Sequence, residues 1–351
     1  MSVIDPPPNA PVPPSEALRQ RLDDLGQAMS EHRRQLSGKA APAIPVVSPA
    51  ITPADVGPGG TARAIARLAD AVRLRAGIKL TDSVRDKLAR VLSMLPADMA
   101  TLWIEALIAG SDQNPEWQGL IETLTIHETY FFRDQAQMRL VRERALPEAI
   151  RAADARGDRS LRLWSAATAT GEEAYTLAML ALEALAQHGA ALESAHGGFR
   201  LLGDWNLSVL GTDLSRPVLT RARNGVYDDS GLSPFRELPA SYGRFFVEVP
   251  TGDGGRTRRV RDDVRAVVRF DHHNLMAPLA GPTGFDLVLL RNVLTYFDDP
   301  TREHVQRTIA GATRAGGWLA LGSADQMVVT ELFDAVWGDL SVLYRRTLAR
   351  A

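Results

Sequence analysis

Carboxylate side chains follow two apolar runs that have the composition of buried strands. Glu172 and Glu173 come after the run LRLWSA and a stretch of small residues that ends in Gly171, and Asp213 ends the run LSVLGTD. Small side chains let the backbone approach a ligand closely, and two carboxylates at a helix start favour a cation rather than a phosphate. A carboxylate at the end of a parallel strand commonly accepts hydrogen bonds from ribose hydroxyls. These residues predict a site for a cationic ligand that contains ribose.

Each of these signals also has a simpler explanation that the sequence leaves open. Glu172 and Glu173 could do no more than complement the dipole of the helix that they begin. Asp213 or Ser215 could cap the next helix. The dinucleotide fingerprint GxGxxG is missing from residues 167–175, which argues against a nucleotide diphosphate. A cofactor with both an ammonium and a sulfonium group, such as S-adenosyl-L-methionine, would suit the acidic side chains.

Polar residues follow two further apolar runs. After VRAVVRF, His272 and His273 stand next to each other. Adjacent side chains of an extended segment point apart and no third ligand is in register, so we expect no metal site. After FDLVLL come Arg291 and Asn292, and Tyr296 follows in the same segment. Polar groups at a strand end need partners, and a ligand is one candidate.

Apolar runs alternate with helical stretches from residue 159 onward. Helical patterns at about residues 171–186 and 216–224 separate runs that predict strands, and LSVLYRRT near the end predicts a closing strand. This alternation predicts an α/β fold with a doubly wound, mostly parallel sheet. The alternation breaks between residues 224 and 264, where FFVEV, the turn TGDGG and RTRRV predict an inserted antiparallel hairpin.

The chain before the sheet divides into two parts. Residues 61–150 place apolar side chains at helical spacing and predict a small helical domain. Two proline-rich stretches in residues 1–60 flank a polar segment with leucines at helical intervals, which predicts an extended arm with one short helix. We therefore expect an arm at 1–60, a helical domain at 61–150, and a cofactor-binding domain at 151–351 that contains a β-subdomain at about 226–264.

The composition excludes several classes of protein. The 351 residues contain no cysteine, which excludes disulfides and thiolate metal sites. A formal net charge of −2 and the absence of interleaved aromatic and basic residues argue against a nucleic-acid substrate. The amino terminus lacks the features of a secretion signal, and no run approaches the roughly 20 apolar residues of a membrane span. We expect a cytoplasmic protein that is not inserted in a membrane.

Several short motifs occur in a fixed order along the chain. They are LTIHETYFFRD (124–134), WSAATATGEEAY (164–175), GTDLS (211–215), HNL (273–275), RNVLTYF (291–297) and AGGWLALGS (315–323). Together they resemble the motifs of the CheR-type chemotaxis receptor methyltransferases, which esterify glutamate side chains of receptors. GIKL at 77–80 is similar to a turn between the early helices of that family. The resemblance implies a class I, Rossmann-like methyltransferase fold with an N-terminal helical domain, an inserted β-subdomain and S-adenosyl-L-methionine as cofactor.

The resemblance also implies which residues form the site. By motif position, the residues that would line the cofactor are Thr129, Arg133, Asp213, Asn274, Leu275, Asn292 and Val293, with Glu172 or Glu173 beside them. Arg133 and Tyr296 would face the reacting centre, where Arg133 would orient the cofactor and the incoming carboxylate. The alternatives are a surface Arg133 paired with Asp134 or Glu128, and a Tyr296 that packs in the core beside Phe297.

The chain departs from the family pattern at a few positions. His127 stands where the family often has asparagine, and Thr168 and Ala169 stand in the first loop where a small or polar pair with serine is usual. GSADQM replaces a commoner His-Ser-Glu ending. These departures concern the acceptor side more than the cofactor side.

The implied partners are methyl-accepting chemoreceptor proteins. An excess of basic side chains between Arg63 and Arg90 would suit acidic receptor helices, although an ordinary solvated helix face explains it equally well. The turn TGDGG lies where some relatives bind a receptor tail peptide by edge-strand pairing. Two other functions stay open: a methyltransferase of the same fold for another acceptor, and a non-catalytic module that binds the cofactor.

Overall fold

The structure is a computed structural model that describes residues 58–79, 81–93, 97–229, 231–250, 256–281 and 283–348. Contacts within the chain divide these residues into two compact units. One unit contains the residues up to Ala71 and from 81 to Ile126, and the other contains Val72–Lys79 and the residues from His127 onward. Most of the predicted arm, with its short helix, and the turn at 251–255 lie outside the described residues.

The first unit is built from helices that bury apolar side chains at three and four residue intervals. Its helices are α1 (Pro58–Ala76, up to Ala71), α2 (Asp82–Ser93), α3 (Ala97–Ala109) and α4 (Pro115–Leu124). Leu68, Leu88, Ile104 and Leu107 are completely buried. The predicted helical spacing of this region therefore corresponds to helices with a buried apolar face.

The helical unit is shorter than the predicted helical domain. We expected helices of the amino-terminal domain to continue to about residue 150, whereas the compact unit ends at Ile126. Val141, Leu146 and Ile150 belong to the same buried cluster as the first strand of the sheet. Helical periodicity identifies a helix but not the surface that it packs on. The boundary between the two units could therefore not be predicted from the spacing of apolar residues.

The second unit is organised around a seven-stranded sheet. Its strands, with those of two smaller sheets, are β1 (Ser160–Ala166), β2 (Ala191–Glu193), β3 (Phe199–Leu201), β4 (Asn206–Asp213), β5 (Val226–Asp228), β6 (Phe246–Pro250), β7 (Arg256–Val260), β8 (Val268–His272), β9 (Phe285–Leu290), β10 (Thr313–Leu321), β11 (Phe333–Trp337) and β12 (Val342–Arg346). The strand order is β11-β12-β10-β9-β1-β4-β8, with β12 antiparallel to both of its neighbours and the other pairs parallel.

Helices cover both faces of this sheet. They are α5 (Gln135–Leu140), α6 (Leu146–Arg156), α7 (Glu172–Gln187), α8 (Arg216–Asn224), α9 (Asp262–Arg265) and α10 (Asp299–Ala312), with a π-helical turn at Val141–Ala145 and 3₁₀ turns at Ala240–Phe245 and Leu294–Tyr296. One buried cluster contains residues of α6 and α7, and another contains residues of α10. The predicted α/β fold with a doubly wound, mostly parallel sheet is confirmed. None of the described helices is long and apolar enough to cross a membrane.

The chain leaves β1 toward β4 and β8, and then returns to β9 on the other side of β1. This reversal of strand order opens a crevice beyond the carboxyl ends of β1 and β9, which is where open α/β sheets bind ligands.

Two details differ from the predicted elements. The run VRAVVRF is a strand only from Val268 onward, because the buried Val264 lies in the short helix α9. The inserted hairpin of β6 and β7 gains β5 as a third strand, in the order β5-β7-β6. A strand as short as Val226–Asp228 has too few residues for an alternating pattern to be recognised.

Candidate functional site

Several of the predicted site residues lie in loops at one edge of the sheet. The strands β1, β4, β8 and β9 are parallel neighbours, so their carboxyl ends point to the same edge. Residues 167–171 follow β1, Asp213 ends β4, residues 273–275 follow β8 and residues 291–293 follow β9. The structure therefore brings the loops of four separate motifs together, and their role in binding stays a prediction.

Asp213 is buried and receives backbone hydrogen bonds from two loops. Its Oδ2 atom accepts the N–H of Ala169 at 2.9 Å and its Oδ1 atom accepts the N–H of Ser215 at 2.9 Å. Burial raises the pKa of Asp213, and the bond from Ser215 and the nearby charge of His127 partly offset this effect. Ser215 precedes α8 without a side-chain cap, so neither side chain caps the helix in the usual way. The capping explanation is wrong, and the carboxylate instead joins the loops after β1 and β4.

Two buried hydroxyl groups accompany Asp213 in these loops. Among the described residues, Thr168 Oγ1 and Ser215 Oγ have no hydrogen-bond partner, although both residues are almost completely buried. Buried polar groups usually have partners, so each unpaired hydroxyl indicates a missing polar contact. A buried carboxylate in the same loops as two such hydroxyls fits a ligand that carries hydroxyl groups, as the ribose of S-adenosyl-L-methionine does.

Glu173 forms a buried ion pair with Arg291. Glu173 Oε2 accepts a hydrogen bond from Arg291 Nη1 at 3.0 Å, and Glu173 Oε1 accepts one from Ser165 Oγ at 2.7 Å. The Arg291 side chain is only 2% exposed, and its Nη2 atom donates to the carbonyl of Arg133 at 2.7 Å. The partner that Arg291 required is therefore a carboxylate of the chain itself. This pair joins the start of α7 to the segment that carries Arg133.

Glu172 lies in a different environment from its neighbour. Its Oε2 atom accepts a hydrogen bond from Thr170 Oγ1 at 2.7 Å, and the hydroxyl of Tyr227 donates to the carbonyl of Thr170 at 2.8 Å. Burial raises the pKa of Glu172 to about 7. Since Tyr227 belongs to β5, Glu172 lies toward the inserted subdomain, whereas Glu173 pairs with Arg291. Which of the two carboxylates lies beside the cofactor stays a prediction.

Arg133 is half-buried in a segment that runs along the start of α7. The N–H of Phe132 donates to Thr176 Oγ1 at 3.2 Å, and Arg133 Nη1 donates to the carbonyl of Glu128 at 2.7 Å. The carboxylates named in the alternative have other partners: Asp134 Oδ1 accepts the N–H of Gln137, and Glu128 Oε1 pairs with Arg236. In the described part of the chain, Arg133 makes no ion pair with either carboxylate. The surface ion pair is therefore not the role of Arg133 in this structure.

The segment around Arg133 also contacts the chain between β5 and β6. The guanidinium of Arg236 lies 3.5 Å from the ring centroid of Tyr130, and its Nη2 atom donates to Glu128 Oε1 at 2.9 Å. The hydroxyl of Tyr130 lies 3.2 Å from Glu237 Oε1. Sequence reasoning missed Arg236 because its partners are more than 100 positions away in the chain. These contacts attach the inserted region to the edge that carries the site.

The loop after β9 carries Asn292, Val293 and Tyr296. Asn292 has a left-handed backbone with φ of 57°, which few residues other than glycine adopt. Tyr296 is half-buried, and its carbonyl accepts the N–H of Lys79 at 2.8 Å. Phe297 is buried, and the partly buried Tyr296 packs against the same apolar cluster, so both explanations of Tyr296 stay open.

Asn274 and Leu275 follow β8 at this edge, and Thr129 lies in the segment that carries Arg133. Both ends of the Asn274 amide contact the chain, because Nδ2 donates to the carbonyl of Arg75 and Oδ1 accepts the N–H of Met276. Leu275 is 8% exposed and belongs to a buried apolar cluster. Thr129 is half-buried. The structure places Asn274 and Leu275 at the predicted edge and leaves little of Leu275 accessible.

Comparisons with known proteins agree with the motifs. Residues 127–340 match the family model described as CheR methyltransferase, SAM binding domain. A chemotaxis protein methyltransferase of Vibrio parahaemolyticus is 30% identical over 279 residues, which cover 77% of this chain and 91% of the relative. The corresponding protein of Escherichia coli is 30% identical over 264 residues, or 74% of this chain and 82% of the relative.

Solved structures give a weaker similarity. A TehB-like SAM-dependent methyltransferase from Corynebacterium glutamicum is 14% identical with a TM-score of 0.29, and the match covers 61% of this chain and 94% of that chain.

The family match includes the loops that follow β1, β4, β8, β9 and β10, together with the segment of Arg133. The chain belongs to the CheR methyltransferase family and is an S-adenosyl-L-methionine-dependent methyltransferase.

Proposed function

We propose that this protein transfers the methyl group of S-adenosyl-L-methionine to glutamate side chains of methyl-accepting chemoreceptor proteins, and so tunes chemotaxis adaptation. The observation that carries the proposal is the family match over residues 127–340 together with the carboxylates Asp213 and Glu173 at the reversal of strand order. The names of the relatives as chemotaxis protein methyltransferases support the acceptor class.

The cofactor would be held by residues at the carboxyl edge of the sheet. Asp213 would accept hydrogen bonds from the ribose hydroxyls, with Thr168 and Ser215 as further polar partners. Glu173 would lie toward the positively charged amino-acid end of the cofactor. The remaining contacts would come from Thr129, Arg133, Asn274, Leu275, Asn292 and Val293, with Glu172 behind the first loop. When bound, the cofactor supplies an electrophilic methyl group on its sulfonium.

The acceptor glutamate needs no general base. Its carboxyl group has an ordinary pKa of roughly 4.3, so it is already an anionic nucleophile at neutral pH. Catalysis then depends on position, and holding two reacting groups in line is worth on the order of 7 to 11 kcal/mol. Residues that fix the carboxylate relative to the methyl group therefore carry the reaction.

Arg133 is suited to this positioning role. Its carbonyl is held by the buried Arg291 and its guanidinium by the carbonyl of Glu128, so both ends of the residue are fixed before an acceptor arrives. A guanidinium presents a planar fork of donors to a carboxylate. Binding must stay loose, because a tight clamp on the ground state would not accelerate the reaction. Tyr296 would close the site beside the methyl group.

The receptor would contact two separate surfaces. Arg63, Arg85 and Arg90 are exposed on helices of the first unit and would attract acidic receptor helices. In the three-stranded sheet of the inserted subdomain, β5 and β6 are the edge strands among the described residues. An extended receptor tail peptide would pair with one of these edges through its backbone.

A labelled methyl transfer assay tests the proposal. Purified protein, radiolabelled cofactor and receptor-containing membranes should give a base-labile ester on the receptor and no ester on free small acids. The Arg133→Ala and Tyr296→Phe variants should reduce this transfer by roughly ten- to a hundredfold, the range that loss of a positioning contact commonly produces. Arg139→Ala, which changes an exposed arginine on α5, is the matched control.

Two outcomes would contradict parts of this proposal. Methyl transfer to small acids with none to receptor would show that the acceptor class is wrong. Wild-type rates for Arg133→Ala would remove Arg133 from the mechanism while leaving the family assignment intact.

A further inference from the structure

One carboxylate in the loop after β10 binds several backbone N–H groups of the loop after β9. Asp325 Oδ1 accepts the N–H of Leu294 at 3.1 Å, and Asp325 Oδ2 accepts the N–H groups of Asn292 and, at 3.1 Å, Gly322. The backbone N–H of Thr295 also interacts with this carboxylate. A single side chain therefore satisfies donors on both loops, and hydrogen bonds to an ionised acceptor are stronger than neutral ones.

The two loops are packed too closely for a side chain at Gly322. A Cβ atom there would lie 2.6 Å from the backbone nitrogen of Asn292 and 2.9 Å from Asn292 Nδ2. Glycine is thus required for the close approach that lets Asp325 reach the neighbouring loop. The contact between the loops depends on the carboxylate of Asp325 and on the missing side chain of Gly322, where an added Cβ atom would also lie 2.8 Å from Asp325 Oδ2.

The loop after β9 is also held through its carbonyl groups. Arg302 Nε, from α10, donates to the carbonyl of Leu294 at 2.9 Å. Asn292, two residues before Leu294, has the left-handed backbone. Among residues other than glycine, asparagine is one of the few that adopt this conformation readily. One of the N–H groups that Asp325 binds is that of Asn292.

We propose that Asp325 is a positioning residue, which fixes the backbone of residues 292–296 and thereby sets where Asn292, Val293 and Tyr296 stand relative to the cofactor. Asp325 acts through the loop and does not itself contact the reacting groups. The inference rests on the proposed cofactor contacts of Asn292 and Val293, and it does not depend on which acceptor is methylated.

Binding of S-adenosyl-L-homocysteine, measured by isothermal titration calorimetry without any acceptor, tests this inference. Asp325→Asn keeps the size of the side chain but turns one acceptor oxygen into an amino group, which faces N–H donors in either orientation of the amide. We expect the dissociation constant to rise at least tenfold, which corresponds to about 1.4 kcal/mol. Gly322→Ala should weaken binding in the same direction by pushing the loops apart.

A second carboxylate variant separates positioning from general stability. Asp325→Glu keeps the charge, and a neighbouring cavity of about 270 Å³, lined in part by Thr295 and Arg302, gives room for the extra methylene. It should recover most of the affinity that Asp325→Asn loses. Asp263→Asn is the matched control, because Asp263 also accepts a backbone N–H, that of Phe199 at 2.8 Å, but lies before β8. Its dissociation constant should equal that of the wild type.

The possible outcomes are distinguishable. A lower midpoint of thermal unfolding for Asp325→Asn with unchanged affinity would show a structural role only and overturn the inference. If Asn292→Ala weakens binding but Asp325→Asn and Gly322→Ala do not, the inference fails while the proposed function stands. If Asn292→Ala also binds normally, the cofactor contact on which the inference rests is wrong. Should Asp325→Asn fail to fold, Gly322→Ala and Asp325→Glu still decide the question.

Discussion

Replacing Glu172 by glutamine should make the free energy of unfolding depend less on pH. Burial raises the pKa of this carboxyl from 4.5 to about 7 in the folded protein. Between these two values the unfolded chain has released the proton while the folded protein retains it. The free energy of unfolding therefore falls as pH rises through this window, and the loss is complete above pH 7.

The size of the effect follows from the shift in pKa. One pKa unit corresponds to about 1.4 kcal/mol, so a shift from 4.5 to about 7 corresponds to roughly 3 kcal/mol. Glutamine has nearly the same shape and can keep the hydrogen bond to Thr170 without a titrating proton. Relative to the wild type, Glu172→Gln should thus gain roughly 3 kcal/mol of stability on going from about pH 4.5 to about pH 8.

Urea unfolding at several pH values between 4.5 and 8 measures this difference. Tryptophan fluorescence and circular dichroism should both be followed, because the chain contains two compact units. Glu248→Gln, which changes an exposed carboxylate on β6, serves as the control and should give a difference from wild type that hardly varies with pH. If the free energies of unfolding of Glu172→Gln and the wild type differ by the same amount at every pH in this range, the reasoning from burial is wrong.

Two further predictions concern the packing of the site, and each compares a pair of variants. Arg291→Met should lower the free energy of unfolding by about 3 to 5 kcal/mol, because it leaves the carboxylate of Glu173 without its buried partner. In a double-mutant cycle, adding Glu173→Gln should recover part of this loss. Gly171→Ala should cost roughly 2 to 4 kcal/mol in chemical unfolding, because Gly171 has φ of 97° and a Cβ atom there would lie 2.9 Å from the Cβ of Ala222. Gly189→Ala, at φ of 80° with no atom within 4 Å of the added carbon, should cost only the backbone strain of about 1 kcal/mol. Equal losses for the two alanine variants would contradict the packing argument.

The sequence was sufficient for the regular part of the fold. The helix at Arg216–Asn224 and the strand at Phe285–Leu290 were predicted with their observed limits, because each has a clear apolar pattern and a clear end. The edge of the sheet where the candidate site lies could also be predicted, since parallel strands place all of their carboxyl ends together.

The partners of individual side chains could not be predicted in the same way. Glu172 and Glu173 are neighbours in sequence, yet one packs toward Tyr227 and the other pairs with Arg291, because successive residues of a helix point in directions about 100° apart. The carboxylate of Asp325 escaped notice because its donors are backbone N–H groups about 30 residues away, and backbone groups have no signature in sequence. Motif order identified the loops, but only the packed chain specifies which atoms meet.

The short segment Val72–Lys79 has a practical consequence for anyone who shortens this protein. It belongs to the same compact unit as the sheet: the carbonyl of Arg75 receives the Asn274 amide, and Ile78 forms a bridge with Phe297. At the other end, Val342–Arg346 pairs with β10 beyond the last matched residue, 340. Trimming the gene to codons 127–340 would remove both supports, so a minimal version for crystallisation should start before Val72 and continue past Arg346.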